Sequence, residues 1–286
     1  MSRVRIVSIA RRALRVSHVI TAMAVIVAAL ISLPLGFYIA YTNPILLSLL
    51  SIYTALVVIL VLKPRDLVRA SLLIHRGESV NDNNLLLVTV SYFSILVTAS
   101  VLIDTIQSYI GISMGSLESL YESDIAYLTD ASIAPLREEL AFRVILIGLP
   151  LYLLASNGSV SILWHPYTSG IKGLKVTILV VISSFIFSIS HLLSGSGWEY
   201  GKLSQAMVGG LILGWVYYRY GIVPAIVLHW LTNHLLLTYS IYSDMGSIIT
   251  NDVLTSLTIL VVATGVLSLL VYLKSIMTDH QHGLNY

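Results

Sequence analysis

Three short stretches of this sequence hold side chains that can move protons and stabilise charge, each set in apolar surroundings. The first is Glu138-Glu139-Leu140-Ala141-Phe142-Arg143, the second Phe187-Ser188-Ile189-Ser190-His191, and the third His229-Trp230-Leu231-Thr232-Asn233-His234. Glu139 and Arg143 stand four apart, so on a helix they share a face and can pair. Glu138 lies about 100° further round the same helix, with no cation one turn away, which leaves it available as a base. His229 and Asn233 are also four apart and share a face. A free carboxylate, two imidazoles and an amide gathered in a partly dry place could perform general acid–base chemistry and hold an oxyanion.

The elements that must position them follow from composition. Apolar residues make up 57% of the 286 and charged residues 10%, with a mean hydropathy of +0.89. A water-soluble domain of this length normally carries about a quarter charged residues, so a soluble surface cannot be built from this chain. Taking about 20 apolar residues as one membrane span, the sequence predicts eight: 18–41, 44–62, 85–104, 135–156, 174–193, 204–220, 222–241 and 253–273. All are expected to be helices, because in lipid each backbone polar group must be satisfied within its own segment. The expected fold is therefore an all-α, polytopic transmembrane helix bundle, a single integral membrane domain over 1–286. The first apolar run, behind Arg3, Arg5, Arg11, Arg12 and Arg15, continues past the length of a signal peptide and is read as the first span. With no cysteine in the chain, disulfides and thiolate metal sites are excluded.

Positive charge retained on the cytoplasmic side fixes the orientation. With both termini cytoplasmic, the inner set holds the five arginines above plus Lys63, Arg65, Arg69, Arg76, Lys172, Lys175, Arg219 and Lys274, thirteen in all, against Lys202 alone outside. The segment 105–134 lacks Lys and Arg but carries Glu118, Glu122, Asp124 and Asp130, as an outer loop or outer amphipathic helix would. The fourth span then starts outside, the fifth ends outside and the seventh runs outward, so all three polar stretches fall at similar depth in one leaflet. Charges inside a span cost about 2.5–3.5 kcal/mol each on insertion scales, so partners or a wet cavity are required there. Other features carry structural readings. Ala206, Gly210 and Gly214 form a ladder of small residues for close helix approach. Tyr217, Tyr218 and Tyr220 beside Arg219 suit an interfacial aromatic belt. His75, His165, His280 and His282 fall in loops or the tail, and Gly148 with Pro150 interrupts the fourth span.

Glu138-Glu139-x-x-x-Arg143, Phe187-x-x-x-His191 and His229-x-x-x-Asn233, in this order on successive helices, resemble the CAAX prenyl endopeptidase and bacteriocin-processing family of intramembrane proteases. The resemblance covers residues 130–240, the expected catalytic core. It implies peptide-bond hydrolysis by an activated water, as in the glutamate-dependent type II CAAX members. Glu138 would be the general base and His191 would help hold the water. His229 and Asn233 would donate to the oxyanion, and Glu139 paired with Arg143 would fix the helix. Phe187 would shape the pocket. Two Glu and two His could hold zinc, but Arg143 and Asn233 suit a water and oxyanion site better, so no cofactor is expected. The expected partners are a peptide or protein substrate, prenylated or membrane-bound, and the lipid bilayer of the cell membrane, with no nucleic acid. Two other classes stay open. A non-catalytic scaffold or immunity-type binder could keep the same core, and a transporter would need matching broken helices in two halves.

Overall fold

A computed structural model of the chain describes residues 85–113, 124–156, 158–194, 199–244, 255–256 and 258–270. The spans expected at 18–41 and 44–62 lie outside the described residues, as do His75, His280 and His282. Among the described residues the structure is all-helical, without a strand. The helices are α1 (Leu85–Tyr109), α2 (Asp124–Glu138), α3 (Leu149–Leu154), α4 (Leu174–Leu193), α5 (Gly201–Tyr220), α6 (Ile222–Asp244) and α7 (Thr258–Leu270). Between α2 and α3 runs a π-helical segment, Glu139–Gly148. Val88–Tyr109 within α1 and all of α4 are long and apolar enough to cross a membrane. On α4, Ile178, Val181, Ile182, Phe185 and Ile186 make an exposed apolar stripe at helical spacing, a surface suited to lipid rather than water.

The fourth expected span needs correction at its start and in its interior. Helix begins at Asp124 rather than at 135, so Pro135 lies inside α2. Proline has no N–H and its ring crowds the carbonyl four residues back, which disturbs an α-helical ladder. The chain then widens into the π segment, where Leu149 N–H reaches Val144 O five residues earlier. The hydroxyl of Ser183 on α4 donates to Phe142 O at 2.6 Å, so a neighbouring helix shares in satisfying this altered backbone. Gly148 and Pro150 do not interrupt it, because Gly148 is helical (φ −63°, ψ −48°) and Pro150 falls in the first turn of α3. What Gly148 provides is room, since the Tyr217 hydroxyl passes where a side chain would stand on its way to Leu163 O at 2.7 Å.

The aromatic reading changes with it. Tyr217 and Tyr218 are buried and pin α5 to the loops through Leu163 O and Ile171 O at 2.8 Å. They are internal ties rather than a belt. Arg219 instead stacks over Tyr167, with its guanidinium carbon 4.3 Å from the ring centre.

The small-residue ladder does bring two helices together. A Cβ on Gly210 would stand 2.9 Å from Ser184 Cβ and 3.0 Å from its Cα, and one on Gly214 would stand 3.0 Å from Val180 Cγ1. α5 therefore lies almost backbone to backbone against α4, the helix that carries His191. Near its start, Gln107 Nε2 on α1 donates to Gly201 O at 2.8 Å and to Ser204 Oγ at 2.7 Å. Gly221, at φ +94°, makes the sharp turn from α5 into α6, and Ile222 N–H then bonds Trp164 O at 3.0 Å. Beneath these contacts, Ile147, Leu151, Ile162, Val216, Tyr217, Ala225 and Leu228 belong to one apolar core.

Candidate active site

The site is built from the junction of α2 with its π segment, the end of α4 and the middle of α6. Glu138 is the last residue of α2 and Glu139 the first of the π segment. This places the two carboxylates at the point where the helix changes its winding. π-Helical segments are rare and concentrate at functional sites.

Glu139 and Arg143 form the expected pair, with Nε to Oε2 at 3.2 Å and both side chains at 0% exposure. The pair has a third member that spacing along one helix could not reveal. His229 Nδ1 on α6 donates to Glu139 Oε1 at 2.9 Å. With Nδ1 so engaged, His229 Nε2 is the ring atom left to face Glu138, whose Oε2 lies 3.7 Å away. Glu138 thus has neighbours after all. Besides His229, Arg137 Nη2 stands 3.9 Å from its other oxygen, but that cation is exposed at the rim and also approaches Asp130 at 3.7 Å. An exposed pair of this kind contributes little. The two carboxylates differ in access: the Glu138 side chain is 19% exposed and that of Glu139 is 0%.

Phe187 sits at the centre of the aromatic contacts. Its ring meets His191 at 4.5 Å and His229 at 5.9 Å, both edge-on, and Phe142 at 5.1 Å. The Arg143 guanidinium carbon lies 4.6 Å from its centre, within the range of a cation–π contact. One ring therefore spaces the two imidazoles and covers the buried guanidinium. His191 Nδ1 donates to the Phe187 carbonyl at 2.8 Å. A carbonyl only accepts, so the proton is on Nδ1 and Nε2 is left as an acceptor.

The structure thus links Glu138, Glu139, Arg143, Phe187, His191 and His229 in one chain of contacts. Asn233 stands one turn beyond His229 on α6, half-buried, and makes no hydrogen bond to a described residue. Three residues near this site were not singled out for it by the sequence. Lys202, at the start of α5, feels the charge of Glu138 and acts with its own on His191, and its Nζ donates to Gln205 Oε1 at 2.8 Å. Ser132 on α2 and His234 on α6 approach at 3.2 Å. The signal for His234 was in plain view, as a second histidine beside Asn233; Ser132 offered none. Among the described residues no set of three His, Asp or Glu side chains is arranged to hold a metal ion.

Chemically, the arrangement offers an accessible carboxylate against an imidazole, the imidazole held from behind by a buried carboxylate, and a second imidazole presenting an acceptor. Comparison with known proteins agrees with the resemblance in the sequence. Residues 124–235 match the family described as Rce1-like, type II CAAX prenyl endopeptidase Rce1-like, a membrane-embedded protease family. No curated protein and no solved structure matches the chain significantly.

Proposed function

We propose, from that match and from the site's geometry, that this chain is a membrane-embedded, glutamate-dependent endopeptidase acting on a membrane-bound peptide. The observation that carries the reading is the line Glu138–His229–Glu139, with separations of 3.7 Å and 2.9 Å. Of the two carboxylates only Glu138 has a surface that water can reach, so it is the base. It takes a proton from a water as that oxygen attacks the scissile carbonyl carbon. His191 Nε2 accepts the water's other hydrogen and so orients the attacking lone pair. The tetrahedral oxyanion receives hydrogen bonds from His229 Nε2–H and the Asn233 amide, donors of a kind whose loss typically costs about 10²–10³ in rate. Because His229 Nδ1–H is held by Glu139, donation from Nε2 has the ring doubly protonated throughout the cycle, its charge balanced by the flanking Glu138 and Glu139 carboxylates, and no proton moves on or off it. Glu138 then passes its proton to the leaving nitrogen, the C–N bond breaks, and the new carboxylic acid gives its proton to the amine, so that a carboxylate and an ammonium group are released. Arg143 does not touch the reactants. It balances Glu139 and so holds the partner of His229.

Cleavage of a membrane-reconstituted peptide per folded molecule tests this. Glu138→Gln keeps shape but removes the base, so turnover is expected to fall at least about 10²-fold. His229→Ala and Asn233→Ala are expected to lower the rate while peptide binding persists, since oxyanion donors act mainly in the transition state. Activity is expected to survive exhaustive chelation. Full activity in Glu138→Gln sinks the mechanism. Loss on chelation with recovery on added zinc replaces it by a metal one.

A further inference from the structure

Among the described residues, the helix bearing His229 and Asn233 carries one more buried histidine, which the proposed chemistry does not use. His234 is 8% exposed and Ser132, opposite it on α2, is 0% exposed. His234 Nε2 lies 3.2 Å from Ser132 Oγ, and its ring lies tilted against Trp230 with centroids 4.0 Å apart. A serine and a histidine buried against each other between two helices satisfy one another's hydrogen-bonding groups, which a merely apolar contact would not need.

Position gives this contact its meaning. Among the described residues, α6 and the α2–π helix touch through polar side chains at two places, His229 with Glu139 and His234 with Ser132. As sequence number rises on one helix it falls on the other, so the two helices run antiparallel past each other. The two joints are seven residues apart on one helix, about 10 Å, and five apart on the other, about 7.5 Å. Glu138 lies between them on the first helix and Asn233 on the second. A single joint leaves the helices free to slide or turn about it. Two joints fix the register, and with it the approach of His229 Nε2 to Glu138.

We infer that Ser132 and His234 form the second jaw of a register clamp, acting as positioning residues that hold α6 against α2 so that Glu138, His229 and Asn233 meet the same reacting carbonyl. The clamp touches no reactant. A slide of one helical residue is about 1.5 Å, and misplacement by about 1 Å can cost on the order of 10²-fold in rate.

Two measurements test it, the kinetic one resting on the protease reading above and the other independent of it. In the first, Ser132→Ala removes the hydroxyl, His234→Phe keeps a ring on Trp230 without the nitrogen, and His234→Gln restores an N–H near the position of Nε2. Ser132→Ala and His234→Phe are each expected to lower kcat per folded molecule on the order of tenfold or more at unchanged KM. The double variant should be no worse than either alone, and His234→Gln should recover most of the rate. Unchanged kcat per folded molecule in both single variants, or losses that multiply in the double, overturns the clamp. In the second, the cysteine-free chain takes spin labels at Ile145→Cys and Val223→Cys, both exposed positions. One narrow distance distribution is expected with the native pair, and a broadened or shifted one in Ser132→Ala and His234→Phe. An unaltered distribution in both variants refutes the clamp. Broadening in a chain that cleaves nothing retains it and removes the protease reading instead.

Discussion

Glu138 and Glu139 are adjacent in the chain, yet their surroundings assign them different work. Glu139 has no exposed surface and is gripped by Arg143 and His229, so its removal is a structural injury first. Glu139→Gln leaves the Arg143 charge buried without its counter-charge, and breaking a buried pair in this way costs about 3–5 kcal/mol. The expected outcome is a large fall in thermal midpoint or in folded yield. Because His229 loses its anchor as well, activity per folded molecule should also drop, though less than in Glu138→Gln. Denaturation in detergent, followed alongside cleavage, checks both; a Glu139→Gln protein as stable as the native one contradicts the buried pair. The Glu139–Arg143 contact was legible in the sequence because it is local, four residues on one helix. The His229–Glu139 contact was not, since its partners stand ninety residues apart and no periodicity relates them. Glu138 looked partnerless for the same reason: the imidazole that faces it comes from another helix.

Among the elements, hydrophobicity located the helices well where they are described, for it reports the cost of lipid contact along a run of residues. It missed where helix continues beyond the apolar run. Asp124–Ala134 is helical although polar in part, and Pro135 resembled a helix start because proline favours the first turn. The π segment had no signature that apolar periodicity could register. The buried roles of Tyr217 and Tyr218 depend on loops that fold back against α5. The Gly210 contact, by contrast, was readable from small-residue spacing, and it carries a prediction. Gly210→Leu forces a side chain against Ser184, whose Cα would be 3.0 Å from the new Cβ, and overpacking of this kind costs about 1–3 kcal/mol. Nothing lies within 4 Å of a Cβ on Gly209, so Gly209→Leu should be tolerated. Thermal midpoints of the two variants decide the matter; equal loss in both contradicts the close approach of α4 and α5.

For the whole molecule, the expected orientation rests on the distribution of Lys and Arg along the sequence. A reporter fused after Tyr286 is expected in the cytoplasm and one inserted near Ser119 outside. Both on the same side would break the eight-span arrangement. If the reporters fall as expected, Glu138, His191 and His229 would open toward the outer leaflet, the side from which the substrate proposed above would then arrive.

The outward stripe on α4, from Ile178 to Ile186, has a thermal consequence. In a bilayer those side chains would meet acyl chains whether α4 is docked on α5 or drifting apart from it, so undocking there would transfer little apolar surface to water. The joints that do break are the hydroxyl-to-carbonyl bond from Ser188 to Leu203 at 2.6 Å and tight glycine contacts. Heat-capacity change on unfolding comes mainly from hydrating apolar area. Calorimetry in lipid should therefore show a small increment for its size and a stability that does not turn down on cooling, unlike that of a water-soluble domain.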